Sequence, residues 1–224
     1  MPIRAVVFDV GETLIDETRV WGAWADWFGV PHLTLFGVLG GLIARGEDFK
    51  RLFEIMRPGR SLRQEWEARA AAGREFWFDE KDLYPDAAPC LAALRAAGYR
   101  LGIAGNQPDA AETALNSMGL DVDMVASSQR WGVEKPSAAF YDLVERSMGV
   151  PAAEIAYVGD RVDNDVIPAV RAGMFSVFLR RGPWGYLHAD LPEVSQAHLR
   201  LDSLRDLPDA LAALGAPDHK ETTP

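Results

Sequence analysis

The run Ile3-Arg4-Ala5-Val6-Val7-Phe8 is short, rich in β-branched and apolar residues, and does not alternate with polar ones. A strand with one wet face alternates; a run like this belongs to a strand buried on both faces. Burial on both faces calls for helices above and below the sheet, reached by crossover connections. The run surfaces at once through Asp9. In open α/β sheets ligands bind beyond the carboxyl ends of the strands, so Asp9 stands where chemistry is done. By residue type alone it is equally a turn former.

The pattern recurs further along. After Tyr84, apolar runs at 100–104, 124–126, 155–158 and 175–179 alternate with helical stretches at 86–97, 110–118, 136–148, 163–172 and 203–214. Gly98, Gly119 and Gly149 fall just past helix ends, and Pro136 suits a first helical turn. Strands and helices alternating at these lengths predict a doubly wound parallel sheet, an α/β fold with a Rossmann-type core. Gly182-Pro183-Trp184-Gly185 is read as a loop, and 215–224 as a polar tail that frays.

Between the first strand and Tyr84 nothing alternates with period two. Val20, Trp21, Trp24, Trp27 and Phe28 recur at helical spacing before Gly29 and Pro31. Further helical stretches are expected at 34–43, weakened by Gly37, Gly40 and Gly41, at 47–56, and at 61–78, where Ser61 and Gln64 form a capping box. The expected division is a catalytic core of residues 1–16 and 85–224, with a helical insertion at 17–84. Trp21, Trp24, Trp27, Trp66 and Trp77 are assigned to the core of that insertion, and Arg45, Arg57, Arg60 and Arg63 to its solvated faces.

Of 224 residues, 48% are hydrophobic, enough for a real core, and the net charge is −10. A chain this acidic is a poor partner for a nucleic-acid backbone or an anionic membrane. No apolar run approaches the ~20 residues of a membrane span, and with the first strand starting at Ile3 no leader is expected. The one cysteine, Cys90, lies in the apolar pattern Cys90, Leu91, Leu94 and suits a packing role in a reducing compartment. A soluble cytoplasmic protein, monomer or homodimer, is expected.

Polar residues gather where the strands end: Asp9, then Gly105-Asn106, then Gly159-Asp160 followed by Arg161-Val162-Asp163-Asn164-Asp165. Glu134-Lys135-Pro136 precedes a helix between the last two. A parallel sheet brings all of these to one edge. Converging carboxylates repel unless a cation sits among them, and hard oxygen ligands suit Mg2+. A lysine beside them can hold a phosphate as a point charge.

With these residues in order, the chain resembles the haloacid dehalogenase-like (HAD) hydrolase superfamily over nearly its whole length. That family's Asp-x-Asp-x-Thr stands here as Asp9-Val10-Gly11-Glu12-Thr13, its Ser/Thr strand end as Gly105-Asn106, its lysine as Lys135-Pro136, and its Gly-Asp-x3–4-Asp as Gly159-Asp160 through Asp165. The helical insertion is similar to the family's C1 cap, with hinges implied at 15–17 and 83–85. The resemblance implies a phosphatase of a small phosphorylated metabolite or other small anionic substrate. It implies Asp9 as nucleophile forming an aspartyl-phosphate, and Mg2+ held by Asp9, the Gly11 carbonyl, Asp160 and Asp165. Lys135 and main-chain groups at Gly105 and Asn106 are implied to bind the phosphoryl oxygens.

Two positions depart from the family pattern. Gly11 replaces the second aspartate, whose side chain protonates the leaving group in that family, and Gly105 replaces the hydroxyl residue. Glu12 is the nearest candidate substitute acid and base; Asp16 and His188 are read as surface or hinge residues. Acid–base catalysis contributes typically ~10²–10⁴-fold, so the glycine predicts slow turnover of ordinary alkyl phosphates. The family's dehalogenases also lack that aspartate, which leaves non-phosphate hydrolysis, or ligand binding without turnover, as alternatives.

Overall fold

The computed structural model describes residues 2–75 and 78–215; Trp77 and the tail from residue 216 on lie outside them. The chain divides into two compact units, one of residues up to Asp16 together with those from Asp79 on, the other Glu17–Phe78.

In the first unit, β1 (Ala5–Phe8), β2 (Arg100–Gly105), β3 (Met124–Ser127), β4 (Ile155–Gly159), β5 (Phe175–Leu179) and β6 (Leu199–Leu201) form one six-stranded sheet in the order β3-β2-β1-β4-β5-β6. Every pairing is parallel. β1 is flanked by β2 and β4, so all its residues are buried, as its unbroken apolar run predicts. Winding proceeds outward from β1 to β3, then reverses and restarts at β4. The switch point therefore lies between β1 and β4, which is where sheets of this kind open a ligand crevice. β6 escapes the sequence pattern because it is three residues long and sits at the sheet edge.

Ala5 and Val7 of β1, with Tyr157 of β4, pack on Phe140, Tyr141, Val144 and Met148 in one buried cluster, while Val6 and Phe8 turn to the opposite face. The helix that carries those four residues spans Ala138–Met148 and begins two residues after Pro136. Gly182-Pro183-Trp184-Gly185, expected as a loop, opens a helix, Gly182–His188. Proline fits a first helical turn because it forfeits only an N–H that has no partner there, and Trp184 is a buried residue of that helix. Cys90 is buried, and burial pushes its thiol up to about 12, so it packs rather than reacts.

The regular elements among the described residues of the second unit are helices: Thr18–Phe28, His32–Ala44, Arg51–Met56 and Leu62–Ala71. The second helix runs unbroken through Gly37, Gly40 and Gly41 because it buries Leu35, Leu39, Leu42 and Ile43; packing outweighs ~1 kcal/mol per glycine. The capping box forms, with Ser61 N–H donating to Gln64 Oε1 at 2.8 Å and Gln64 N–H donating to Ser61 Oγ at 3.4 Å. The helix it starts ends at Ala71, short of the expected 78. Trp24 sits edge-on to Phe53 and Trp66, at 4.9 and 5.1 Å between ring centres. Arg57 and Arg60, expected in solvent, are partly exposed as well as paired with Glu65, which is fully buried and also accepts from Trp27 Nε1 at 2.6 Å. Their bonds to Glu65 hold its carboxyl below the ordinary range despite its burial. No single helix among the described residues is long and apolar enough to cross a membrane.

The boundary between units falls at 78/79 rather than 84/85. Residues 79–84 stay with the sheet because Ile15 bridges Leu83, Asp16 N–H donates to Asp82 O at 2.7 Å, and Tyr84 N–H donates to Leu14 O at 2.9 Å.

Asp86 fastens this region. It opens the helix Ala87–Ala96 and accepts from Arg181, from Ser203 Oγ at 2.7 Å and from Leu204 N–H at 3.0 Å. Burial raises its pKa, but these donors more than offset that and hold it below the usual carboxylate value. A depressed folded-state pKa contributes stability above the unfolded value, lost as pH falls through the folded one. We predict that Asp86→Asn lowers unfolding free energy at neutral pH by about 1–3 kcal/mol in urea titrations. That deficit should begin to shrink below about pH 4, where the unfolded carboxyl takes up protons, and close at lower pH as the native carboxylate protonates too; a constant deficit over the acid range contradicts the assignment.

Candidate active site

The site is built where β1, β2 and β4 end. Asp9 directly follows β1, and its N–H donates to Val158 O at 2.8 Å, extending the ladder to β4. The chain then turns tightly: Leu14 and Ile15 N–H groups both donate to Val10 O, at 2.9 and 3.0 Å, and Glu12 N–H donates to Ile15 O at 2.7 Å. Glu12 holds a left-handed φ of 54°, uncommon for a residue with a side chain. Its carboxylate is buried and accepts from Tyr84 Oη at 2.6 Å. Burial and the Glu12 charge push the Tyr84 phenol well above its ordinary pKa. Gly11, between Asp9 and Glu12, offers only its backbone.

Asp160 directly follows β4, and Asp165 lies in a wide helical turn, Val162–Val166, that starts three residues after β4 ends. Gly159 gives that turn its room: a β-carbon there would lie 2.3 Å from Asp165 Cγ. Asp165 is fixed on both oxygens, Oδ1 accepting from Lys135 Nζ at 2.6 Å and Oδ2 from Arg161 N–H at 2.9 Å.

Lys135 is buried and bridges two of the carboxylates, its Nζ 2.7 Å from Asp9 Oδ1 as well as 2.6 Å from Asp165 Oδ1. Burial opposes its charge, but Asp165 and Asp9 win and hold its pKa above the ordinary lysine value. Gly105 closes the other side of Asp9, where a β-carbon would come within 2.6 Å of Oδ1. The β-carbon of the hydroxyl residue that the resembled family carries at that strand end would meet Asp9 Oδ1 while Asp9 rests on Lys135. The Asn106 side chain is bonded to the Lys135 backbone, accepting its N–H at 2.7 Å and donating to its carbonyl at 2.9 Å.

Asp9, Asp160 and Asp165 each present a carboxylate oxygen within 4.8 Å of the others. One lysine cannot balance three such charges. Burial, then Asp165 and Asp9, push the Asp160 carboxyl well up; burial and Asp9 raise Asp165 although Lys135 pulls it down. Asp160 Oδ2 is buried without a hydrogen-bond partner. An unpartnered buried carboxylate oxygen beside two further carboxylates fits a hard divalent cation.

Asp9, Gly105, Asn106, Lys135, Asp160 and Asp165 thus meet at one sheet edge, as sequence predicts. Asp163 does not join them: its side chain is half exposed and pairs with Arg161 at 2.6 Å. His188, expected at the surface or a hinge, is buried, and its Nδ1 accepts Val162 N–H at 3.1 Å. Burial lowers its pKa, so the ring steadies the Val162–Val166 turn as neutral imidazole. Three further residues at the site, Tyr84, Tyr141 and Tyr157, carry no motif of their own. The two buried phenols flank the lysine region and donate to the Asn164 carbonyl and to Ala104 O, the latter at 2.8 Å. A tyrosine inside the apolar run 155–158 was the available signal.

A model of the haloacid dehalogenase-like hydrolase family matches residues 3–173. The glyceraldehyde 3-phosphate phosphatase of Methanopyrus kandleri is 35% identical over 133 residues, covering 55% of this chain and 57% of that protein. The chain therefore matches little more than half of that relative's length. The solved L-2-haloacid dehalogenase RSc1362 has a TM-score of 0.65 and 25% identity over 95% of this chain and 100% of its own. A HAD phosphatase from Thermococcus onnurineus shares the fold, with a TM-score of 0.60 and 24% identity over 96% of this chain and 99% of its own.

Gly159→Ala tests the packing of the turn. It should destabilise the fold by about 1–3 kcal/mol, the usual range for overfilling a tight interior, seen as a lower thermal midpoint. An unchanged midpoint would show that Asp165 is not held against Gly159.

Proposed function

Because the chain belongs to the haloacid dehalogenase-like hydrolase family, we propose that it is a Mg2+-dependent phosphatase of a small phosphorylated metabolite, working through an aspartyl-phosphate on Asp9. The observation that carries this is the buried lysine bridging Asp9 and Asp165 beside Asp160 with its unpartnered oxygen. The phosphatase named among the relatives supports it. Mg2+ would be held by Asp9, the Gly11 carbonyl and Asp160, with Asp165 direct or through water, and when bound it supplies the positive charge that lets an anionic carboxylate meet an anionic phosphate.

The chain's own residues do the rest. Asp9 attacks phosphorus as the bond to the ester oxygen breaks and the alcohol or phenol leaves with a proton. Water then hydrolyses the aspartyl-phosphate to free Asp9 and inorganic phosphate, so one displacement is split into two. Lys135, kept charged by its two carboxylates, steadies the transferring oxygens, and backbone groups at Gly105 and Asn106 border them. Glu12 stands beside the side-chain-free Gly11 and takes the proton-handling role, less effectively than a carboxylate at residue 11 because it is bonded to Tyr84. The helical unit Glu17–Phe78 acts as the cap that chooses the substrate. A metabolite-directed hydrolase with one buried cysteine suits the cytoplasm.

Asp9→Asn, and EDTA treatment of the unaltered chain, should each abolish hydrolysis of an aryl phosphate. Aryl esters should outpace alkyl esters by about 10²-fold or more, since a good leaving group needs little protonation; equal rates would mean that the gap at Gly11 is filled. Glu12→Gln should widen that difference by slowing alkyl esters alone, and a rate unchanged on both ester classes would remove Glu12 from the chemistry. Gly11 also favours a second reading, hydrolysis of a carbon–halogen bond, which halide release from a 2-haloacid in EDTA would establish. Phosphate binding without turnover on any substrate would instead mark a catalytically degenerate member.

A further inference from the structure

We propose that Asn106 is a positioning residue, whose side chain sets where the Lys135 ammonium stands; this rests on the phosphatase assignment above. Residue type and place in the chain suggest a different job, a polar strand end that touches the substrate. The hydrogen bonds point elsewhere. The Asn106 amide uses its oxygen to accept Lys135 N–H at 2.7 Å and its nitrogen to donate to Lys135 C=O at 2.9 Å. One side chain thereby grips both polar groups of a single peptide residue, which fixes that residue's rotation as well as its distance.

Lys135 needs such a grip. It lies between the short helix Ser128–Trp131 and the helix Ala138–Met148, in neither helix nor strand, so no regular hydrogen-bond ladder orients its backbone. Yet its ammonium must reach two carboxylates at once, at 2.7 and 2.6 Å. Its Nζ also lies near the faces of Phe140 and Tyr157, 5.9 and 5.5 Å from the ring centres. A long, flexible side chain meets that many constraints only if its root is fixed.

The end of β2 supplies both halves of the arrangement. Gly105 leaves the space in which Asp9 Oδ1 rests on Lys135, and the next residue holds the Lys135 backbone. β2 pairs directly with β1, Phe8 lying opposite Ile103. The nucleophile candidate and the lysine are therefore referenced to the same pair of strands. Loss of the Asn106 grip lets the ammonium drift relative to Asp9, and a displacement of about 1 Å at a reacting centre can cost on the order of 10²-fold.

A double-mutant cycle tests this. Asn106→Ala should lower kcat/KM for an aryl phosphate with Mg2+ by about 10- to 100-fold. In a Lys135→Ala background the same change should lower it by less than about twofold, because a positioning residue has nothing left to position. The same cycle read in the Kd for inorganic phosphate covers a Lys135→Ala chain too slow to assay. Thermal melts of all four proteins check the fold. Equal losses in both backgrounds, in rate and in phosphate affinity, would overturn the assignment and return Asn106 to direct substrate contact. No loss in either background would overturn it as well. Hydrolysis of no phosphate ester by the unaltered chain would overturn the phosphatase assignment itself, and the role of Asn106 with it.

Discussion

A buried ammonium between two buried carboxylates governs this site. Lys135 satisfies Asp9 and Asp165 at 2.7 and 2.6 Å and leaves Asp160 to be balanced otherwise. Such an arrangement is costly to build, since each ion leaves water. Three neighbouring features accommodate it. Gly105 and Gly159 withhold side chains where Asp9 and Asp165 must lie, and Asn106 anchors the lysine backbone. The winding order adds a further constraint by placing the ends of β1 and β4 side by side at the switch point.

The fold was legible because its signal is repetitive. Buried parallel strands read as unbroken apolar runs, and 3–8, 100–104, 155–158 and 175–179 carry that mark. Four of the strand-end residues, Asp9, Gly105, Asn106 and Asp160, were legible for the same reason: a parallel sheet sends strand ends to one edge. β6 was not, being too short for periodicity to register. The helix Gly182–His188 hid behind a Gly-Pro-Trp-Gly string that resembles a turn until packing of Trp184 is known.

What sequence could not give was partnership across distance. Asn106 and Lys135 are 29 positions apart, and Glu12 and Tyr84 are 72; no local pattern links them. Glu65 illustrates the same limit in the helical unit. It sits in a helix whose polar residues recur on every side, so nothing in its spacing announces full burial between Arg57 and Arg60. Glycines deceive in the opposite direction. Gly11 and Gly105 look like losses from a motif, whereas Gly105 proves to be the space that the Asp9–Lys135 contact occupies.

Gly11 remains the residue that most shapes the expected chemistry. On the proposed mechanism it leaves a backbone carbonyl for a cation and no side chain for the leaving group, a role that Glu12 fills less effectively because its carboxylate is bonded to Tyr84. Everything then depends on Asp9 acting as nucleophile. The most direct measurement is acid-quenched single turnover of a radiolabelled aryl phosphate with Mg2+, followed by peptide mapping. A hydroxylamine-labile phosphoryl group on the peptide carrying Asp9, absent from Asp9→Asn, is the predicted result. Turnover that leaves no label on the protein, or places it on another residue, would contradict it.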